Sequence, residues 1–492
     1  MALDIRNGLR VMFGYNAIED KGRRQAPRTR VYHEDKILTP TKRKKLQATA
    51  QDQLRNHSLV AWMIRKHLDY VSRFHVSIRT GKPAVDTLLN RILRWHGAPA
   101  RLDISRRFGR DEMFRLFELE KVVNGDAALL KLPGLKLQAI ESDLINKPGD
   151  YEREHQEGPK VTSSGLVVDD NGAVEQYCLC NRGETGTNYR FDKLVPAEQM
   201  IFDAYYTRFG SQFRGVSPLS TALNTVQDIV EGFEFNLIKA KMHALFGIAI
   251  MRGAEGTEEF GGASGATAET EDATATDTDT HLDLNPRAVN MLDLNPGEDV
   301  KTIESTTPSA EFIEGSYLFI NIAMLALDIP ATSFDSRRSS FSARIADLNE
   351  YEVACDAKRT KNRYVRQEYS DWLLEQIWNN GQSAWPIKQA AGDAGMVLRD
   401  VQEAVEWVPS GSPWLSKLDQ VAGDKLAISI GLDNHIDASR RRGMDIFKNI
   451  DKQAQVIAYA KEKGVPLITN PLNEQTMIDL VLAGRQEGGN AQ

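Results

Sequence analysis

The residues able to do chemistry are few and poorly spaced for it. Cys178 and Cys180 stand one residue apart, on one face of an expected strand, and Cys355 lies alone in a helical pattern. No histidine or further cysteine completes a zinc spacing around them, so neither a metal site nor a cofactor is expected. His33 opens the run HEDK, but a helical zinc motif needs a second histidine one turn on. His57, His67 and His243 fall in helical patterns and read as surface or satisfied core residues. Asp347 with Glu350, and Glu352 with Asp356, have the spacing of charges along a solvated helix face. There is no glycine-rich lysine loop, no GxGxxG after a strand and no GxSxG elbow. No catalytic residue is assigned, and the chain is not expected to be an enzyme.

The remaining candidates are basic. Arg337 and Arg338, followed by Ser339 and Ser340, sit at the tip of the small, polar run ATSFDSRRSS. Spacing alone favours an exposed loop that pairs with a local acid such as Asp335; the sharper reading is a basic tip that touches phosphate. The triple arginine beginning at Arg440 reads as a solvated helical segment. A net charge of −7 and a pI of about 5.8 argue against a protein that coats nucleic acid. They permit local, weak contacts.

The elements that must position these residues follow from composition and periodicity. At 492 residues, 41% hydrophobic and 26% charged, the chain is ordinary globular material for two to four domains. Residues 1–40 form a basic, turn-rich arm without the apolar centre of a secretory signal, and the odd cysteine count fits a reducing compartment. Helical patterns run over 42–74, 83–96 and 105–121, with a short strand after Phe74. Four short strand-like runs follow, AALLKL, LKLQAI, GLVVDD and VEQYCLC, broken by Pro133-Gly134, Pro148-Gly149 and Asn171-Gly172 turns. Ser217-Pro218 is a capped start for a helix to about Ile250. Residues 254–282 contain no Lys or Arg and read as a flexible acidic loop, followed by the repeat LDLNP at Leu282 and Leu292.

From Pro308 a helix runs to about Asp328 and is ended by Pro330. Its Phe312, Leu318, Phe319, Ile322 and Leu325 cover more than one face. It is too apolar for a surface helix, and it reads as too short and interrupted for a membrane span. It must be buried against something large, and a neighbouring copy of the chain is the expectation. A long helix then starts after Ser339 or Ser340, either of which can cap it. A strand-like lead-in after Val401 precedes short helices, and the terminal GRQEGGNAQ is expected to fray.

Several stretches resemble phage portal proteins of the lambda family. RFGSQFRGVSPL (208–219) is similar to the Arg-x-Gly-Gln-x-Arg-Gly signature, with Ser211 as one extra residue, and its matching positions are Arg208, Gly210, Gln212, Arg214 and Gly215. LVPAEQMIF before it, LQAIESDLI (137–145), the hairpin GLVVDDNGAVEQY and the helix RNHSLVAWMIRKHLDYV (55–71) resemble other family segments in the same order. LNPGEDVKTIE, DIPATSFDSRRSSFSARIADLNEY and the WVPSGSPWL run, where the family's Asp-Pro is replaced, extend the likeness to about Gly464.

The resemblance implies an α+β portal fold in a non-enzymatic, dodecameric ring at one capsid vertex of a virion, assembled in the host cytoplasm. DNA would enter and leave through its centre. The expected parts are an arm (1–40), a mixed α/β wing (41–216), stem helices (217–250 and 306–330) and a clip (251–305). A tunnel loop (331–341), a wing helix with strand return (342–408) and a helical crown (409–492) complete it. Arg337, Arg338, Ser339 and Ser340 would face double-stranded DNA; Phe312, Leu318, Phe319, Ile322 and Leu325 would pack between subunits. Implied partners are the terminase large subunit, the major capsid protein and a head-completion or adaptor protein, with no membrane. The alternatives are a phage DNA-processing nuclease, which would need clustered acidic metal ligands, and a monomeric head adaptor or scaffold.

Overall fold

The computed structural model describes residues 32–149, 151, 158–183, 188–246, 248–252, 298–302, 308–380, 385–411 and 417–465. Most of the arm, the acidic loop 254–282, the LDLNP repeat and the last 27 residues (466–492) lie outside them. In chain order the elements are α1 (Glu34–Ile37), α2 (Pro40–Asn56), α3 (Ser58–Val71), β1 (Phe74–Ile78), α4 (Pro83–His96), α5 (Pro99–Leu102) and α6 (Arg110–Asn124). Strands β2 (Asp126–Leu132), β3 (Lys136–Ile140), β4 (Leu166–Val168), β5 (Val174–Arg182), β6 (Tyr189–Pro196) and β7 (Met200–Ala204) follow. Next come α7 (Leu223–Phe246), β8 (Ile248–Arg252), β9 (Glu298–Thr302) and α8 (Ala310–Met324). The chain continues with α9 (Phe341–Asn380), α10 (Ile387–Asp393), α11 (Leu398–Glu403), β10 (Val405–Pro409), α12 (Lys417–Ser429), α13 (His435–Arg441) and α14 (Ile446–Glu462). The class is mixed α+β, mostly helical with small antiparallel sheets.

The chain divides into two units, one of residues 1–219 and 327–492, the other of residues 220–326. In the first, β2 is the centre of a three-stranded sheet, β3-β2-β7. Its residues alternate between two cores, as the period of a strand requires. Ala127 and Leu129 join Phe114, Leu137, Tyr369, Leu373 and Trp407; Ala128 and Leu130 join Leu166, Tyr177 and Met200. A second sheet, β4-β5-β6, carries Cys178 and Cys180 on one buried face with Tyr151 and Val161. All three cysteines are buried thiols outside any disulfide. Strand β1 pairs antiparallel with β10, Phe74 opposite Pro409, and so ties the early chain to the late one.

The second unit holds α7 and α8, with β8 paired antiparallel to β9, Ile248 opposite Thr302. Phe233 meets Phe312 edge to face, ring centroids 5.6 Å apart, and Ser309 caps α8 by accepting from the Phe312 N–H at 3.2 Å.

Several sequence expectations are corrected by local chemistry. The helix expected over 42–74 is two helices, because His57 takes an extended backbone, φ −116° and ψ 111°. The helix expected from Ser105 starts at Arg110. The Asp103 carboxylate captures the N–H groups of Ser105, Arg107 and Phe108 in a turn, and Arg106 sits at φ 60°. Helix α8 stops at Met324, ahead of Pro330, through a 3-10 turn and Asp328 at φ 60°. By length and composition Ala310–Leu327 is nonetheless an 18-residue stretch apolar enough to cross a membrane. It therefore passes the test the sequence reading had it failing. Only 22% of it is buried.

One buried histidine has its tautomer fixed by its partners. His96 Nε2 lies 2.6 Å from the Leu135 carbonyl, which can only accept, so Nε2 carries the proton. Nδ1 therefore accepts from the Tyr369 hydroxyl at 2.7 Å. Burial, set against the Leu135 bond, pushes the His96 pKa down to about 4. Because the folded value is depressed, the contribution is present above the ordinary histidine range and is lost as pH falls from about 6.5 through about 4. The expected outcome is a His96 ring that stays neutral at pH 5.5 while exposed histidines protonate; histidine NMR titration checks it.

Candidate functional site

The signature segment 208–215 folds into a loop between β7 and the turn at Pro218, and nearly all of its polar atoms point inward. Gln212 is the loop's internal clamp. Its Oε1 accepts from the backbone N–H groups of Thr207 at 2.9 Å and Arg208 at 3.0 Å, while its Nε2 donates to the Arg214 carbonyl at 2.9 Å. Gly210 takes φ 76°, a conformation that a side chain would strain. Arg208 reaches back to the Tyr32 carbonyl and lies 3.4 Å from Glu34 Oε2.

Arg214 is the centre. Its side chain is 1% exposed and that of its partner Asp126 is 0%. Nε donates to Asp126 Oδ2 at 2.7 Å and Nη2 to Oδ1 at 2.8 Å, the two-pronged geometry that guanidinium and carboxylate share. Nη1 donates to the carbonyls of Ile145 and Ser164, and Nη2 also to that of Ser142 at 2.7 Å. All five guanidinium N–H groups are thereby satisfied. Asp126 accepts in addition from the Gly215 N–H at 3.0 Å and from the Ser142 hydroxyl, with Arg43 at 3.6 Å. Burial alone would raise the Asp126 carboxyl; Arg214, then Arg43 and the Ser142 hydroxyl outweigh it and hold the pKa below the ordinary range. Gly215 crosses Gly125 backbone to backbone. A Cβ on Gly125, itself at φ 98°, would lie 2.6 Å from the Gly215 carbonyl oxygen.

A second buried network lies on the other side of α6. Glu118 accepts from Tyr205 at 2.8 Å, Asn362 at 2.9 Å and His67 at 3.1 Å, and pairs with Lys121 at 2.6 Å. Lys121 bonds Asp203 at 2.7 Å. Burial opposes the Glu118 charge, but Lys121 and then His67 hold its pKa well below the carboxylate range. The His67 pKa is lowered by burial, so the neutral ring donates through Nε2. This network joins α3, α6, β7 and α9. His67 is a buried core residue, but only half satisfied, since its Nδ1 is closed off from solvent without a partner; His33 proves to be the N-cap of α1.

The basic tip is built differently. Asp335 Oδ1 accepts from the Arg337 N–H at 3.0 Å and from its Nε at 3.1 Å, and Arg338 Nε lies 3.8 Å from Oδ2. Ser340, not Ser339, caps α9, accepting from the Ala343 N–H at 3.2 Å. Phe334 packs on the Trp62 ring, centroids 5.9 Å apart. The loop is thus pinned at its base, and the Arg337 side chain is 84% exposed despite its acid partner. The arginines from Arg440 also pair with acids: Arg440 with Glu406 at 2.6 Å, Arg442 with Asp424 at 3.3 Å.

The proposed stem residues divide. Phe312 is half-buried against Phe233, whereas Leu318, Phe319, Ile322 and Leu325 are 45–67% exposed. Phe235, Leu237 and Ile238 on α7 are also exposed; the sequence reading had not singled them out. Asp126 was missed too, because a lone aspartate at the head of a strand carries no motif. Among the described residues no group of three or more His, Cys, Asp or Glu is placed to hold a metal ion.

An arrangement that spends its charges on buried partners and backbone carbonyls is that of a scaffold. The sequence profile of phage portal proteins, lambda family, matches residues 21–359. The chain belongs to that family, whose members are structural and not enzymes. No curated protein matches significantly. Among solved structures, a chain from the neck of an empty GTA particle, computed with C6 symmetry, is 14% identical. It covers 80% of this chain and 92% of that one at a TM-score of 0.41. A chain from the virion of a native gene transfer agent particle is 13% identical, covering 82% and 93%, TM-score 0.40. One from the neck of a native GTA particle, computed with C12 symmetry, is 12% identical, covering 82% and 94%, TM-score 0.41.

Arg214→Ala leaves Asp126 buried and unpaired and is expected to destabilise the first unit by about 3–5 kcal/mol. Arg214→Lys is expected to recover little of this, since a point charge cannot replace the fork. Urea unfolding followed by far-UV circular dichroism checks both.

Proposed function

We propose that this chain is the subunit of a portal: a closed ring, the dodecamer that the family resemblance implies, through which double-stranded DNA is packaged and ejected. Membership of the lambda portal family supports the class. The observation that carries the ring is the open apolar face of α8. Leu318, Phe319, Ile322 and Leu325, each about half exposed, contribute roughly 1 kcal/mol each when covered, about half the value for full burial. Association itself costs about 4–15 kcal/mol in lost freedom. This face can therefore offset part of that cost, with the rest of the subunit supplying the remainder and the surplus. In a ring the cover is the next copy, since a heterologous contact closes on itself.

On this reading α7 and α8 are the stem, the residues between them the clip, and residues 331–341 the tunnel loop. The terminase large subunit and then a head-completion or adaptor protein would dock at the clip, with the major capsid protein around the ring at the virion vertex. Arg337 and Arg338 would touch DNA weakly and many times over. Asp335 neutralises part of each tip, which suits a channel, because strong phosphate contacts would hold DNA in place. A nuclease would need a cluster of metal ligands, and a monomeric adaptor would leave the apolar faces of α7 and α8 in water.

Two outcomes are expected. Phe319→Asp, placed in the open face, abolishes ring formation in sedimentation velocity while Phe319→Leu retains it; a ring of normal size from the aspartate variant would remove the stem assignment. Arg337→Ala with Arg338→Ala leaves the ring assembled and lowers packaged DNA severalfold, measured as protected DNA per particle. Normal yield from that double variant would remove the tunnel-loop assignment.

A further inference from the structure

A cleft of about 660 Å³ in the first unit lies among α9, β1, β10, α11, α13 and the start of α14. Its apolar wall includes Trp407, Val408, Ile436 and Phe447. Its polar wall carries four carboxylates and four guanidinium groups, and the two sets are not equally occupied.

Every carboxylate has a partner. Asp445 accepts from the Ser77 hydroxyl at 2.8 Å and caps α14. Glu406 takes Arg440 at 2.6 Å, Glu403 takes Arg399 at 2.8 Å, and Asp371 accepts from Gln367 at 2.9 Å. The uncommitted groups are nitrogen donors. The Arg363 side chain makes no hydrogen bond or ion pair among the described residues, and its Nε is closed off from solvent without an acceptor. The His75 Nε2 is also closed off without a partner, and the Arg79 guanidinium lies over the Phe447 ring. A guanidinium held beside an apolar wall with no acceptor is costly alone and favourable once an anion arrives.

We propose that this cleft binds a polypeptide carboxylate, an acidic side chain flanked by apolar neighbours, with Arg363 as its principal partner. The charge count separates this from nucleic acid. Arg79, Arg363, Arg399 and Arg440 are matched by Asp371, Glu403, Glu406 and Asp445, so the cleft offers a polyanion no net field. One carboxylate, by contrast, meets the free donors locally, and its neighbours meet Trp407 and Phe447. The proposal does not depend on the ring.

Isothermal titration of the full-length chain with acetyl-Leu-Asp-Leu-amide, against the matching Asn peptide, tests it without altering the protein. The aspartate peptide is expected to bind at least tenfold more tightly. Arg363→Ala should remove that preference and Arg363→Lys retain part of it, with thermal melting showing that each variant is folded. Equal affinity for the two peptides, or no binding of either, overturns the proposal, as does an undiminished preference in Arg363→Ala. So does inorganic phosphate or a short DNA duplex that binds through Arg363 as tightly as the aspartate peptide, which would make the cleft a general anion site.

Discussion

The first unit depends on one ion pair taken out of water, Arg214 on Asp126. Such a pair is weak evidence for stability as such, because desolvating both charges costs much of what their attraction returns. Here the cost is met by completeness. Arg214 places all five N–H groups on acceptors, and Asp126 takes two prongs of Arg214, a hydroxyl and a backbone N–H. The result is specific in space. The Ser142 and Ile145 carbonyls come from one turn and the Ser164 carbonyl from another, and Arg214 draws both turns to Asp126 at the head of β2. The Gly125–Gly215 crossing works in the same way, since neither position tolerates a Cβ.

That geometry explains why stretches far apart in sequence form one signature. LQAIESDLI supplies Ser142 and Ile145, the start of the GLVV hairpin lies beside Ser164, and RFGSQFRG supplies Arg214. The polar groups of Gln212 and Arg214 are spent inside the fold. The groups left exposed are of another kind: a basic tip on a pinned loop and apolar side chains on α7 and α8.

Much of this was legible in the sequence, and the rest was not for physical reasons. Helix α4 matches its pattern because proline opens it and an apolar stripe runs its length. The Asn171-Gly172 hairpin follows from turn chemistry that needs no tertiary context. By contrast, β6 and β7 were not singled out: YRFDKLVP faces solvent along much of its length, and MIFDA is short and is held by pairing with β2. The break at His57 left no composition signal, because its flanks share one apolar periodicity. Asp126 and Glu118 were invisible as site residues, since what makes each special is a partner many residues away.

The claim on which the account turns is that the apolar face of α8 is covered by another copy. Native mass spectrometry of the purified full-length chain, with particle images beside it, tests that most directly. A closed ring of about a dozen copies with a central hole is the predicted result. A species that stays at the 55.0 kDa of one chain across concentration and salt would contradict it.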